Sequence, residues 1–177
     1  MPEGLENGLS TQTVADLLAY LRSHIRPKSF SGNAPRMMQP SVDGAIHLTA
    51  GNAEIYGETL VFEPKYRNLG FWFSENDRAV WIARLSKPGS YDVYLNYAVP
   101  EEFPGNRVRI ESAAGDHLVA SFPATGSWDK YELRKVGRID LRQGDQTISV
   151  RGEKPFRAPL LDVKEIVLAP AGQPLAQ

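Results

Sequence analysis

The chain of 177 residues contains no cysteine. That excludes disulfides, thiolate metal sites, a cysteine nucleophile and a haem attached through a C-x-x-C-H motif. It leaves the compartment open, because a well-cored domain needs no disulfide. Charge of one sign is lacking too. The net charge is −1 and the pI about 6.3, so no field draws the chain to nucleic acid or to an anionic membrane. No apolar run approaches the ~20 residues that span a bilayer, and membrane insertion is not expected. Met1-Pro2-Glu3-Gly4 offers neither the basic start nor the apolar stretch of a signal peptide. Histidine is scarce and scattered, at His24, His47 and His117. Neither a Gly-x-Ser-x-Gly elbow nor a His-Glu-x-x-His pair is present. Glu101-Glu102 reads as a solvated charge pair, so catalysis is not expected of this chain.

What is present divides by period. Ser10 is placed to cap a helix, followed by Val14, Leu17, Leu18, Leu21 and Ile25 at i, i+3, i+4, i+7 spacing. This predicts an amphipathic helix over 11–24. Its leucine stripe, residues 14–25, needs a partner surface, either a neighbouring domain or a second copy. Residues 26–44 carry Pro27, Gly32, Pro35, Pro40 and Gly44. They read as a linker, or as an extended segment laid over a surface.

From residue 45 the period becomes two. Ile46–Ala50 alternates, and Trp81, Ala83 and Leu85 share one face of 79–85. Tyr91, Val93, Leu95 and Tyr97 share another, as do Val108 and Ile110, then Leu118, Ala120 and Phe122. Ile139 and Leu141, Ile148 and Val150, and the run 161–168 complete the series. Turns fall at Lys87-Pro88-Gly89-Ser90, Ala113–Asp116 and Arg142–Asp145. Short strands with turn signals every 8–12 residues predict a mostly β chain, an antiparallel β-sandwich with one N-terminal helix. The expected division is a helix at 1–25, a linker at 26–44, the sandwich at 45–170 and a tail at 171–177.

The run Asn68-Leu69-Gly70-Phe71-Trp72-Phe73 sets three aromatics beside the polar turn Glu75-Asn76-Asp77. Two readings stay open here. Exposed aromatics next to polar groups suit a surface that grips a sugar ring, and the same aromatics can plug the end of a sandwich. Trp81 is assigned to the core.

Two resemblances add to this. Met1-Pro2-Glu3-Gly4-Leu5-Glu6, with Leu9-Ser10-Thr11-Gln12 and Ala15–Arg22, resembles the end of a cytochrome c-like haem-binding domain of planctomycete and verrucomicrobial type. The attachment motif is missing, so no haem is expected. This stretch reads as the stump of a neighbouring domain.

The second resemblance spans about 45–170. Ala53-Glu54-Ile55-Tyr56, Leu69-Gly70-Phe71-Trp72 leading to Ala79-Val80-Trp81, and Pro88-Gly89-Ser90-Tyr91 come in the order found in carbohydrate-binding modules of families six and thirty-five. Thr125-Gly126-Ser127-Trp128 and Leu161-Asp162-Val163 continue that order. These modules are galactose-binding-like, jelly-roll sandwiches. Two departures stand out: residues 57–67 are longer than the family's link, and Phe156-Arg157-Ala158-Pro159 replaces an Asn before the last strand.

The resemblance implies a non-catalytic module that binds a glycan, in an extracellular or periplasmic setting. It places Phe71, Trp72 and Trp128 near the sugar-binding loops, with Tyr66, Asn68 and Arg157 able to supply hydrogen bonds. It also implies a structural Ca²⁺ held by Glu54 and Asp162, pinning the ends of the sandwich. Asp162 sits among apolar residues, where its charge needs either that metal or an arginine such as Arg151 or Arg157. The alternative is a structural or docking domain of a redox protein with no sugar ligand.

Overall fold

Alternation of apolar and polar side chains from Ile46 onward yields, among the described residues, eleven strands in two facing antiparallel sheets. The computed structural model describes residues 8–103, 105–155, 157–173 and 175, without the side chains of 19–25. Before the strands comes one helix, α1 (Thr11–Ile25). Ser10 caps it, its hydroxyl oxygen accepting the Thr13 N–H at 3.0 Å. Leu17 and Leu18 of its stripe are exposed. The side chains of Leu21 and Ile25, like the Met1–Glu6 part of the cytochrome resemblance, lie outside the described residues.

The strands are β1 (Ile46–Thr49), β2 (Glu54–Tyr56), β3 (Val61–Glu63), β4 (Asn68–Gly70), β5 (Arg78–Leu85), β6 (Gly89–Ala98), β7 (Arg107–Ser112), β8 (His117–Ser121), β9 (Glu132–Leu141), β10 (Gly144–Gly152) and β11 (Asp162–Pro170). One sheet runs β3-β4-β11-β6-β9, with β1 also paired to β11 beyond β4. The other runs β2-β5-β10-β7-β8. The turns after β5 and β9 therefore carry the chain from one sheet to the other, whereas Ala113–Asp116 closes a hairpin within one sheet.

The core lies between the sheets. Val93, Leu95 and Tyr97 from one meet Trp81, Ile110, Ile148 and Val150 from the other, all essentially without solvent contact. Removing such side chains from water supplies about 25 cal/mol per Å² of apolar surface. Trp81 belongs to the core as expected. Its indole N–H donates to the Thr49 carbonyl at 2.8 Å, from β5 of one sheet to the end of β1 in the other. Tyr97 packs edge-on against Phe122, ring centroids 5.0 Å apart, and its hydroxyl donates to the Pro123 carbonyl at 3.1 Å.

Segment 26–44 is not a free linker. Met38 is buried and extends the edge of β5: its N–H donates to the Ile82 carbonyl at 2.7 Å, and its carbonyl accepts from Arg84 at 2.9 Å. Lys28 bridges Ile55 of β2. The Asn33 side-chain amide reaches the carbonyls of Gly51 and Ala53 at 3.1 and 2.9 Å. The prolines that suggested a linker suit an edge, where a missing N–H leaves no ladder bond unmade.

Candidate ligand-binding site

The chain between β3 and β5 contributes most to the site. Tyr66 lies in the turn joining β3 to β4, where Arg67 takes a left-handed φ of 56° and donates its N–H to the Glu63 carbonyl at 2.8 Å. Phe71, just past β4, also has a positive φ, 60°. A bulky side chain in that region costs about 1–2 kcal/mol. Burial does not offset the cost, because Phe71 is 56% exposed. Phe71 and Phe73 turn out and Trp72 turns in, so the two residues expected to act together, Phe71 and Trp72, part company.

Trp72 is therefore a core residue, 1% exposed, its indole N–H donating to the Asp77 carbonyl at 3.3 Å. It has no face to offer a ligand, which corrects the expectation that it stacks there. Asn68 is corrected likewise: its side chain is buried and its amide donates to Glu63 Oε2 at 2.9 Å. Arg157 is exposed and does not line the cleft. It is pinned through its backbone, donating its N–H to Asn106 Oδ1 at 2.9 Å while its carbonyl accepts from Asn106 Nδ2 at 2.7 Å.

Tyr66, Phe71 and Trp128 do come together. With Phe73, Phe103, Tyr131 and Pro159 they line a cleft of about 470 Å³ that also receives Glu63, Asp129 and Asp162. Tyr66, Phe71 and Phe73 are among the few large apolar residues left exposed anywhere in the described chain. All three line this one opening instead of being scattered over the surface. Phe71 and Phe73 sit 6.2 Å apart, and Phe103 and Trp128 6.1 Å apart, between ring centroids.

Asp77 holds the loop that presents the aromatics. It is buried, and Oδ1 accepts the N–H groups of Glu58 and Thr59 at 2.7 and 2.9 Å. Oδ2 accepts the Ser74 N–H at 3.0 Å and the Thr59 hydroxyl. Gly57, at φ 97°, makes room, since a methyl there would stand 2.5 Å from Asp77 Oδ1. The polar turn Glu75-Asn76-Asp77 thus contains one structural acid.

The polar side of the cleft gathers around Gly70. A methyl on Gly70 would collide with Glu63 Oε2 and stand 3.0 Å from Asp162 Oδ1 and 3.2 Å from Asn68 Nδ2. Only a glycine lets both carboxylates approach this backbone. Burial pushes the Asp162 carboxyl up to about 7, the charge of Glu63 pushes the same way, and a hydrogen bond from the Tyr131 hydroxyl partly opposes them. Tyr131 is held well above its ordinary value by its own burial and by the charge of Asp162.

The arginine partners suggested for Asp162 are engaged elsewhere or turned away. Arg151 pairs with Glu111 at 3.4 Å, and no ion pair to Asp162 forms among the described residues. Glu54 stands on β2 in the other sheet and accepts the Tyr56 hydroxyl at 2.7 Å. Among the described residues there is no group of three or more His, Asp or Glu placed for a metal ion.

Sequence reasoning missed Glu63, Phe73, Phe103, Asp129, Tyr131 and Pro159. Asp129 and Tyr131 follow Trp128 directly, so the pattern Trp-Asp-Lys-Tyr was visible. Glu63 comes from the lengthened 57–67 segment, which folds into β3 and its turn.

No family model matches the sequence, and no curated protein matches it. Solved structures do match in fold. A family 35 carbohydrate binding module from Clostridium thermocellum is 18% identical with a TM-score of 0.58, covering 70% of this chain and 96% of that one. The C-terminal CBM6 of LamC, a marine laminarinase from Zobellia galactanivorans, is 16% identical with a TM-score of 0.56, covering 71% and 98%. A GH26-CBM35 β-(1,4)-mannanase from Podospora anserina is 19% identical with a TM-score of 0.58, covering 75% of this chain but 29% of that one. At such identities the likeness establishes the β-sandwich fold of these modules.

Proposed function

We propose that this chain is a non-catalytic carbohydrate-binding module that holds a glycan in the cleft between Tyr66, Phe71, Phe73, Phe103 and Trp128. The observation that carries this reading is the clustering of exposed aromatics over a polar floor. Aromatic faces pack against the C–H face of a pyranose, and the carboxylates of Glu63, Asp129 and Asp162 accept hydrogen bonds from hydroxyls. The strained backbone at Phe71 supports it, since strain without burial is a mark of a functional position. The fold likeness supports it as well: two of the similar structures are themselves carbohydrate-binding modules. As a module, the chain serves a larger extracellular or periplasmic protein by keeping it on its glycan. The test is a glycan array followed by titration of Phe71→Ala and Trp128→Ala. Each variant is expected to fold and to lose about tenfold or more in affinity, a loss of ~1.4 kcal/mol or more. Unchanged affinity in both variants overturns the assignment of the cleft.

A second reading rests on α1, whose Leu17 and Leu18 are exposed. In it the helix docks on a neighbouring domain or a second copy, and the sandwich acts as a structural unit. The two readings use different surfaces, so the cleft variants separate them.

A further inference from the structure

Resting on the glycan reading above, we infer that the ligand carries a protonated amino group, so that the cleft takes an amino sugar with free amines in preference to a neutral or uronic sugar. Every ionisable side chain with an ordinary charge at neutral pH that lines the cleft is an acid: Glu63, Asp129 and Asp162. They come from β3, from the loop before β9 and from β11, so folding and not a local run of charge brings them together. Two lysines beside cleft residues are held on aromatic rings. Lys164 Nζ lies 3.7 Å from the Tyr131 ring centroid and Lys65 Nζ 4.8 Å from that of Tyr66. Neither lysine lines the cleft.

A second observation points the same way. A methyl on Gly70 would meet both Glu63 Oε2 and Asp162 Oδ1, so two acid oxygens from different strands face one place in the cleft. An ammonium group brings three donors and one positive charge to such a place. The surrounding aromatic rings attract it further through their negative faces. A uronate would add its own negative charge to a cleft already lined by acids. The elevated proton affinity of Asp162 fits this: Glu63 stands beside it, and among the described residues no cation pairs with it. A bound amine supplies one.

The experiment is calorimetric titration of the full chain at low salt with four oligosaccharides. These are a fully deacetylated glucosamine oligomer, its N-acetylated counterpart, a neutral β-1,4-glucan of the same length and an oligogalacturonate. The amine oligomer is expected to bind about tenfold tighter than the neutral glucan, the worth of one charge-assisted hydrogen bond. That advantage is expected to shrink as NaCl is added. D129N, at an exposed position, and E63Q are each expected to reduce amine affinity severalfold, with circular dichroism confirming the fold. Equal affinity for amine and neutral oligomers, preference for the galacturonate, or indifference to both substitutions overturns the inference and leaves the glycan reading standing. Choline binding as tightly as the amine oligomer overturns it too, because the site would then recognise a cation without a sugar. Silence toward all four, from a folded chain that is also blank on the array, removes the glycan reading itself.

Discussion

Asp77 holds Thr59 by two hydrogen bonds, from the Thr59 N–H to Oδ1 and from its hydroxyl to Oδ2, and the Thr59 hydroxyl oxygen in turn accepts the Phe73 N–H at 3.0 Å. A buried carboxylate thereby fixes the backbone that aims an exposed ring. Asp77→Ala leaves the N–H groups of Glu58, Thr59 and Ser74 without their acceptor. The expected cost is about 2–4 kcal/mol of stability, together with weaker ligand binding at temperatures where the variant is still folded. Urea unfolding paired with titration checks both. An Asp77→Ala protein as stable as the parent would show that the network is ornamental.

Asp162 sets a pH dependence whose sign is fixed by its raised pKa. In the unfolded chain this carboxyl ionises near pH 4; in the folded chain it does so near 7. Between those values the unfolded state sheds a proton that the folded state keeps, so this group's contribution falls as pH rises and levels off above about 7. The full shift corresponds to about 4 kcal/mol, and partial solvent access cuts it to about 1–2 kcal/mol. Asp162→Asn is therefore expected to match the parent near pH 4 and to exceed it at pH 8. Melting curves across that range decide it; a gap that stays constant with pH refutes the assignment.

Neighbouring aromatics should part company. Trp72→Ala empties a core position and is expected to cost about 3–5 kcal/mol. Phe71→Gly removes an exposed ring from a left-handed backbone and is expected to leave stability within about 1 kcal/mol of the parent while abolishing its stacking. Denaturation curves for the pair measure the difference. Similar losses for both would mean that Phe71 is packed.

Truncation gives a fourth outcome. Removing residues 1–26 deletes α1 and is expected to leave the sandwich folded. Removing residues 1–44 also strips Met38 and the Asn33 clamp from the β2–β5 edge, and is expected to lower the melting temperature by several degrees. Light scattering on the shorter deletion also tests whether Leu17 and Leu18 drive association.

Much of the fold could be read from the sequence because the long strands bury one face. Period-two alternation is legible in β5, β6, β7 and β10, where tertiary packing agrees with local pattern. The short strands were not visible. β3 and β4 have three residues each, and β4 is buried throughout, so neither offers a period to read. Most of β9 was missed for another reason. It is a sheet edge whose Leu133, Arg134 and Lys135 all face solvent. In the site, Phe71 and Trp128 were identifiable as aromatics on turns. Trp72 was placed with the ligand residues because adjacent aromatics on a loop read alike in sequence, whether they face in or out. Glu63 and Phe103 were beyond reach, since only the assembled loops make them neighbours.

The hairpin of β3 and β4 joins the ladder of its sheet through one register pair, Leu69 and Val163, while Phe62 and Leu69 anchor it in the core. Its tip, Pro64-Lys65-Tyr66-Arg67, carries Tyr66, and its first strand ends in Glu63. In evolutionary terms this is a replaceable fitting. A lineage can exchange the four tip residues, or the acid beneath them, and so change what the cleft accepts while the sandwich behind it stays as it was.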